Sequence, residues 1–279
     1  MGITPFLIGV VLWQFYALDA QELAKAEKAE VILEDWPDIP ADTLAATIEE
    51  VEDPLAPTWQ MIARSAVKYG ATVKDEYGAI PLIRDTLISM KTFFIGFALS
   101  CVIGITLGLL IASFSYFEAF FKWSMLAVHK PAALALVPII LMWVGSGFKM
   151  HLALIVVGIF PTLMLITYSA VKSVPEQLTI AGMTLGYSNI ENVFHISLPY
   201  ALPQIIDGII SILNAVMLFL LAAEQIANAG GFGHSFFLMG RNFDVGGMIF
   251  YNVVISFYLL VINLIWIWIR RKLCNWKKK

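Results

Sequence analysis

Few side chains in the apolar stretches of this chain can do chemistry. His129 and Lys130 stand together in HKPAALALVPIILMWVG, and Glu224 and Gln225 in LLAAEQIANAGGFG. An ionisable group inside a bilayer is costly and marks a pathway by default. A cation facing such a pathway favours an anionic solute. The other reading of His129 and Lys130 starts the span near Pro131, so that both side chains snorkel to the cytoplasmic interface. Glu224 and Gln225 either line the outer mouth of a pathway or close a helix end in water. Asp207 sits where a span begins, and a structural role is expected there. No nucleophile is paired with a base. Cys101 and Cys274 fall in no CxxC or Cys/His metal spacing, and no GxxxxGK[ST] phosphate loop occurs. The sequence therefore predicts no catalytic residue, no metal and no cofactor bound by this chain.

The elements that must position these groups follow from composition. The chain has 279 residues, 59% of them hydrophobic and 14% charged, with a mean hydropathy of +0.79. A soluble domain cannot hide that much apolar surface, so the expected class is an all-α, polytopic helical membrane protein. Six runs approach the length of a transmembrane helix: 3–18, 87–112, 123–144, 151–171, 204–226 and 248–269. The first lacks a basic flank and a small-residue cleavage site, which argues for a retained span over a signal peptide. Residues 19–53 hold 12 of the 21 acids against two lysines, while the last ten residues, RRKLCNWKKK, hold six basic residues and no acid. The positive-inside rule puts that tail, both termini, 113–122 and 172–203 in the cytoplasm, and 19–86, 145–150 and 227–247 outside.

The expected organisation is a transmembrane span at 1–18, an acidic extracytoplasmic segment at 19–86, a transmembrane domain at 87–276 containing the loop 172–203, and a basic tail at 277–279. In the outer segment, QELAKAEKAEVILEDW reads as a short solvated helix and the rest of the acidic stretch as loosely ordered. That stretch is a solvated spacer or, on a sharper reading, a docking surface for an external partner. Residues 58–78 carry Trp59, Ile62, Ala63, Ala66 and Val67 at helical spacing, an amphipathic helix at the outer interface.

Two packing signals stand out. Gly96, Ser100, Gly104, Gly108 and Ala112 recur every four residues on one face of the second span, which lets a neighbouring backbone approach closely. Pro131, Pro138 and Pro161 each remove a backbone hydrogen bond and bend or loosen a helix unless neighbours compensate. Pro138 is thereby a candidate for the lining of a pathway that opens and closes, although proline is also simply frequent in membrane helices.

The stretch AGMTLGYSNIENVFHISLP, 181–199, interrupts the apolar pattern. Pro175 and Glu176 make a helix start. Ile180, Met183, Thr184 and Tyr187 share a face, and Gly182 and Gly186 leave a bare patch of backbone on the next. Pro199 and Pro203 are expected to stop the chain and turn it into the fifth span. Such a surface suits docking of a separate cytoplasmic protein.

Here the sequence resembles a known family. Ala181–Gly182, three residues, Gly186, nine residues, Ile196, one residue and Leu198–Pro199 are similar to the EAA loop of bacterial ABC importer permeases, written Glu-Ala-Ala, three residues, Gly, nine residues, Ile-x-Leu-Pro. Ile180 stands at the Glu position and Gly182 at the second Ala. PAALALVPIILMWVGSG, the ALP at 201–203, AEQIANAGGFG and the RNF at 241–243 are similar in order and spacing to permeases for nitrate, sulfonates, taurine and bicarbonate. The acidic 19–53 segment departs from that pattern. The resemblance implies two permease copies forming the pore, cytoplasmic ATPase subunits that use ATP and Mg and dock on Ala181, Gly182, Gly186, Ile196, Leu198 and Pro199, an extracytoplasmic solute-binding protein, and a bacterial inner-membrane location. It implies a small anion as solute, or else a thiamine-precursor-like organic molecule. A stand-alone channel or secondary transporter would need a filter ring or buried ion ligands, and neither is seen. In a membrane anchor or assembly factor, a third class, the acidic 19–53 segment would be the working part. Recovery of an ATPase with the chain separates the first class from both others.

Overall fold

The computed structural model describes residues 4–37, 39–49, 56–72, 80–114, 116–121, 133–227 and 230–273. Among these residues the protein is all-helical. The elements are α1 (Thr4–Asp35), α2 (Ala41–Glu49), α3 (Trp59–Val67), α4 (Pro81–Ser113), α5 (Val137–Val144), α6 (Phe148–Lys172), α7 (Glu176–Thr184), α8 (Asn189–Asn192), α9 (Leu198–Ala227), α10 (Phe232–Arg241) and α11 (Val245–Leu273). Four helical runs are long and apolar enough to cross a membrane: Pro81–Ser113, Phe148–Lys172, Ile190–Ala227 and Val245–Leu273. A shorter apolar helix covers Leu134–Val144. The start of the expected third span, with His129, Lys130 and Pro131, lies outside the described residues. The long helices overrun the expected apolar limits. α4, at 33 residues, is about 50 Å long against a hydrocarbon core of about 30 Å.

The chain divides into two compact units, Met1–Arg84 with Ser235–Val254, and Asp85–His234 with Ile255–Lys279. In the first unit, α1 joins the apolar run and QELAKAEKAEVILEDW into a single 32-residue helix. A span followed by a separate short helix was expected. No glycine or proline lies between Gly9 and Pro37, and Ala, Leu, Glu and Lys are strong helix formers, so nothing breaks the helix until Pro37. The acidic stretch, expected to be loosely ordered, also forms α2 directly after Pro40, with Asp42 in its first turn.

α3 begins where sequence periodicity places it. Thr58 is its N-cap and accepts the Met61 N–H at 3.4 Å. Its last turns widen into a π-helix over Lys68–Thr72. Three side chains of α1 hold the lead-in to α3. Gln21 Nε2 donates to the Ala56 carbonyl at 3.0 Å, Trp13 Nε1 to the Pro57 carbonyl at 3.4 Å, and Gln14 Oε1 accepts the Trp59 N–H at 3.1 Å. The far end of the segment grips the start of α11. Tyr69 donates its hydroxyl to Asp244 Oδ2 at 2.6 Å, and Lys68 Nζ stands 3.6 Å from the same oxygen. Asp244 in turn caps α11 by accepting the Gly247 N–H at 2.8 Å. Burial first, then the hydrogen bond and charge of Asp244, hold the Tyr69 phenol well above its ordinary pKa.

In the second unit, Val137, Ile140, Met150, Leu154, Ala223 and Ala227 form one apolar cluster between α5, α6 and α9. α6 and α9 run antiparallel. A Cβ on Gly158 would press on the ring of Phe219 at 2.8 Å, and one on Gly208 would overlap Ile166. Pro161 lies inside α6, and Pro203 inside α9, without ending either helix. Pro138 occupies the first turn of α5, after a 3₁₀ turn at Ala133–Leu136. It therefore interrupts no helix, because the N–H it lacks has no intrahelical partner at that position.

Candidate functional site

The site is the segment between α6 and α9. Glu176 opens α7 behind Pro175. α7 closes in a Schellman motif, with the Gly186 N–H bonded to Met183 O at 3.0 Å and the Tyr187 N–H to Gly182 O at 3.1 Å. That motif needs a left-handed residue, and Gly186 supplies it at φ +88° with open space around it. The next turn is a capping box. Ser188 N–H donates to Glu191 Oε2 at 2.8 Å, and Glu191 N–H donates to Ser188 Oγ at 3.4 Å. Ser-x-x-Glu is legible in the sequence at 188–191 and was not singled out there.

Gly182 is buried, which corrects the expected bare patch. A Cβ there would overlap Ile196 Cδ1 and lie 2.9 Å from Asn192 Oδ1. Asn192 is 2% exposed and donates from Nδ2 to the Thr179 carbonyl at 2.9 Å. Gly182 and Ile196 thus belong to the inner seam of a folded-back helical hairpin. Ala181 and Gly186 are exposed, as are Leu178, Ile180, Met183, Leu185, Tyr187, Ile190 and Phe194. Tyr187 stacks on His195 at 5.5 Å between ring centroids.

Pro199 does not stop the chain. The helix continues from α8 through a π-helix at Val193–Ser197 into α9, with the Leu198 N–H bonded to Val193 O. Leu198 and Pro199 follow the π-helix directly, where the hydrogen-bond ladder changes from π to α. The wide turn just before Pro199 takes up the ring, as π-bulges commonly do at bends.

The small-residue face of α4 lies against α6. A Cβ on Gly96 would meet Ile155 at 3.0 Å, one on Gly104 would meet Leu163 Cβ at 2.7 Å, and one on Gly108 would meet Thr167 Cβ at 2.6 Å. Each pair is 59 residues apart, so α4 and α6 are parallel. Ser100 is fully buried on the same face and donates to the Gly96 carbonyl at 2.8 Å.

Glu224 does not line open space in this chain, nor does it end a helix in water. It is 0% exposed. Ser89 Oγ donates to its Oε1 at 2.7 Å, and the Gly233 N–H donates to its Oε2 at 2.8 Å. Ser89 Oγ also accepts the Phe232 N–H at 2.9 Å. Ser89, Asp85 and the 1%-exposed His151 are buried polar residues that sequence reasoning passed over, because a lone polar residue in an apolar helix does not reveal which way it faces. Asp207, read as structural, forms a two-point ion pair with Arg270, 2.5 Å to Nε and 2.8 Å to Nη2.

Residues 102–276 match the family of binding-protein-dependent transport system inner membrane components. The chain belongs to that family. It is an ABC permease, a multi-pass, non-catalytic transport subunit. It is 25% identical over 232 residues to a putative aliphatic sulfonates transport permease, SsuC of Bacillus subtilis, across 78% of this chain and 83% of that one. It is 30% identical over 155 residues to a putative ABC transporter permease of Methanocaldococcus jannaschii, across 55% of this chain and 58% of that one. The match thus spans less than two thirds of the archaeal relative. A taurine transport system permease, TauC of Escherichia coli, is 33% identical over 107 residues, across 38% and 39% of the two chains. Among solved structures, an inward-facing MetNI methionine ABC transporter superposes with a TM-score of 0.64 at 18% identity, over 71% of this permease and 99% of that chain. That likeness concerns the fold alone.

Proposed function

We propose that this permease is the membrane subunit of an ATP-driven importer for a small sulfonate or related anion, such as taurine, nitrate or bicarbonate. Two copies form the pathway, an extracytoplasmic binding protein delivers the solute, and separate ATPase subunits dock on the 172–203 hairpin. The observation that carries this reading is the hairpin itself. It exposes the apolar side chains Ile180, Met183, Leu185, Tyr187, Ile190 and Phe194, on a helix pair fixed internally by Gly182, Asn192 and Ile196. An apolar patch held on a rigid support is what a partner that must transmit force requires. The sulfonate and taurine names of its relatives support the solute class. His129 and Lys130 are the candidate cations of the pathway, and Pro138 a candidate for its lining.

The test is purification of the tagged chain in mild detergent with the proteins encoded beside it, then ATP-dependent uptake of labelled taurine, ethanesulfonate and nitrate into proteoliposomes. Uptake of one of these anions that requires ATP and the co-purified ATPase is the expected result. A folded chain that retains no ATPase overturns the docking role of the hairpin.

A further inference from the structure

The chain leaves the larger unit after His234 and enters it at Asp85. Ser89 stands one helical turn inside the second of these points. Phe232 and Gly233 are the last residues but two and but one before the first. Glu224 is the group that ties them together, through Ser89 Oγ on one oxygen and the Gly233 N–H on the other.

We propose that Glu224 and Ser89 are positioning residues, a buried latch that fixes the first turn of α10 to α4 and α9 within the transmembrane domain. The inference rests on the transport reading for its functional half and on geometry alone for its structural half. Three hydrogen bonds join Ser89, Glu224 and the start of α10. Glu224 takes the Ser89 hydroxyl and the Gly233 N–H, and Ser89 takes the Phe232 N–H. The N–H groups of Phe232 and Gly233 open α10 and have no intrahelical acceptor, so a carboxylate there answers both the unpaired donors and the helix dipole. The fit is also steric. Gly231, at φ +101°, leaves no room for a Cβ, which would lie 2.5 Å from Glu224 Oε1. A Cβ on Gly233 would overlap the Leu221 carbonyl. The two glycines let the turn close onto the carboxylate, and α10 can shift relative to α4 only by breaking this set of bonds.

The test compares wild type, Glu224→Gln, Ser89→Ala and the double variant in nanodiscs. Hydrogen–deuterium exchange should rise by about ten- to a hundredfold at Phe232 and Gly233 in each single variant, with the α6 peptides at wild-type protection. The double variant should exchange no faster than the faster single one, because both act on one joint. In the reconstituted transporter, uptake per ATP hydrolysed should fall several-fold in the same variants. Wild-type exchange at Phe232 and Gly233, or a simple product of the two single effects, overturns the latch. Raised exchange with unchanged uptake per ATP overturns its role in transport. If the wild-type chain itself shows no ATP-driven uptake, the transport reading fails, while the exchange data still decide the latch.

Discussion

Gly108→Ala adds one methyl group where α4 and α6 touch. The new Cβ would stand 2.6 Å from Thr167 Cβ and 2.7 Å from the Met164 carbonyl oxygen. Carbon pairs rest at about 3.5–4.0 Å, so the two helices must part locally by about 1 Å. Neither obstacle is the free end of a side chain, and no rotamer change relieves the contact. Gly96→Ala is the internal control. Its Cβ would meet only the Ile155 side chain, with Cδ1 and Cγ2 at 3.0 Å and Cβ at 3.2 Å, so a smaller shift relieves the contact. Membrane helices associate through close packing, so separation forfeits dispersion along the seam. Overpacking of this kind costs about 1–3 kcal/mol, and the lower end applies to Gly96→Ala. Thermal denaturation in one detergent, followed by loss of the monodisperse peak, should place Gly108→Ala below wild type by several degrees, at about 2–4 °C per kcal/mol. Gly104→Ala, with Leu163 Cβ at 2.7 Å and the Phe160 carbonyl at 2.9 Å, should resemble Gly108→Ala. Equal stability of Gly96→Ala, Gly108→Ala and wild type would refute the claim that backbone approach holds α4 to α6.

Gly186 has open space but a left-handed backbone, so Gly186→Val should weaken ATPase retention through about 1–2 kcal/mol of strain in the hairpin. Gly186→Asn should be milder, because Asn tolerates that conformation, and equal effects of Val and Asn in a pull-down would argue against the motif. Tyr69→Phe removes the bond to Asp244 and should loosen the start of α11 by about 1–2 kcal/mol, seen as faster exchange at Gly247 and Met248. The raised Tyr69 pKa means its stabilisation is full below the ordinary tyrosine pKa and fades only in strongly alkaline solution; a Tyr69→Phe difference that vanishes near neutral pH would contradict it. Arg270→Ala breaks an ion pair whose side chains are 46% exposed on both sides, so the expected loss is about 0–1 kcal/mol; a larger drop in thermal stability would mean the pair works in a drier setting.

Local physics carried much of this fold into the sequence. The four-residue recurrence of Gly96, Ser100, Gly104 and Gly108 names a packing face because helical geometry alone puts those positions in line. Thr58 and Pro175 mark helix starts for equally local reasons. The π-turn before Pro199 was not legible, because Pro-rich starts and helix stops share the same residues and only the surrounding packing selects between them. The order of motifs from 131 to 243 identifies the family without any contact being known.

What the sequence by itself determined is the class, four of the long apolar helices and the position of the hairpin between α6 and α9, since these follow from hydropathy, periodicity and spacing along the chain. The tertiary structure alone decided which side of each helix meets what. Gly182 turned from surface to seam because Asn192 and Ile196 fold back onto it. Glu224 turned from a pathway candidate into a buried anchor because Ser89, 135 residues away, and the α10 turn converge on it. Such convergence depends on how separate helices cross, and no local pattern along the chain encodes it.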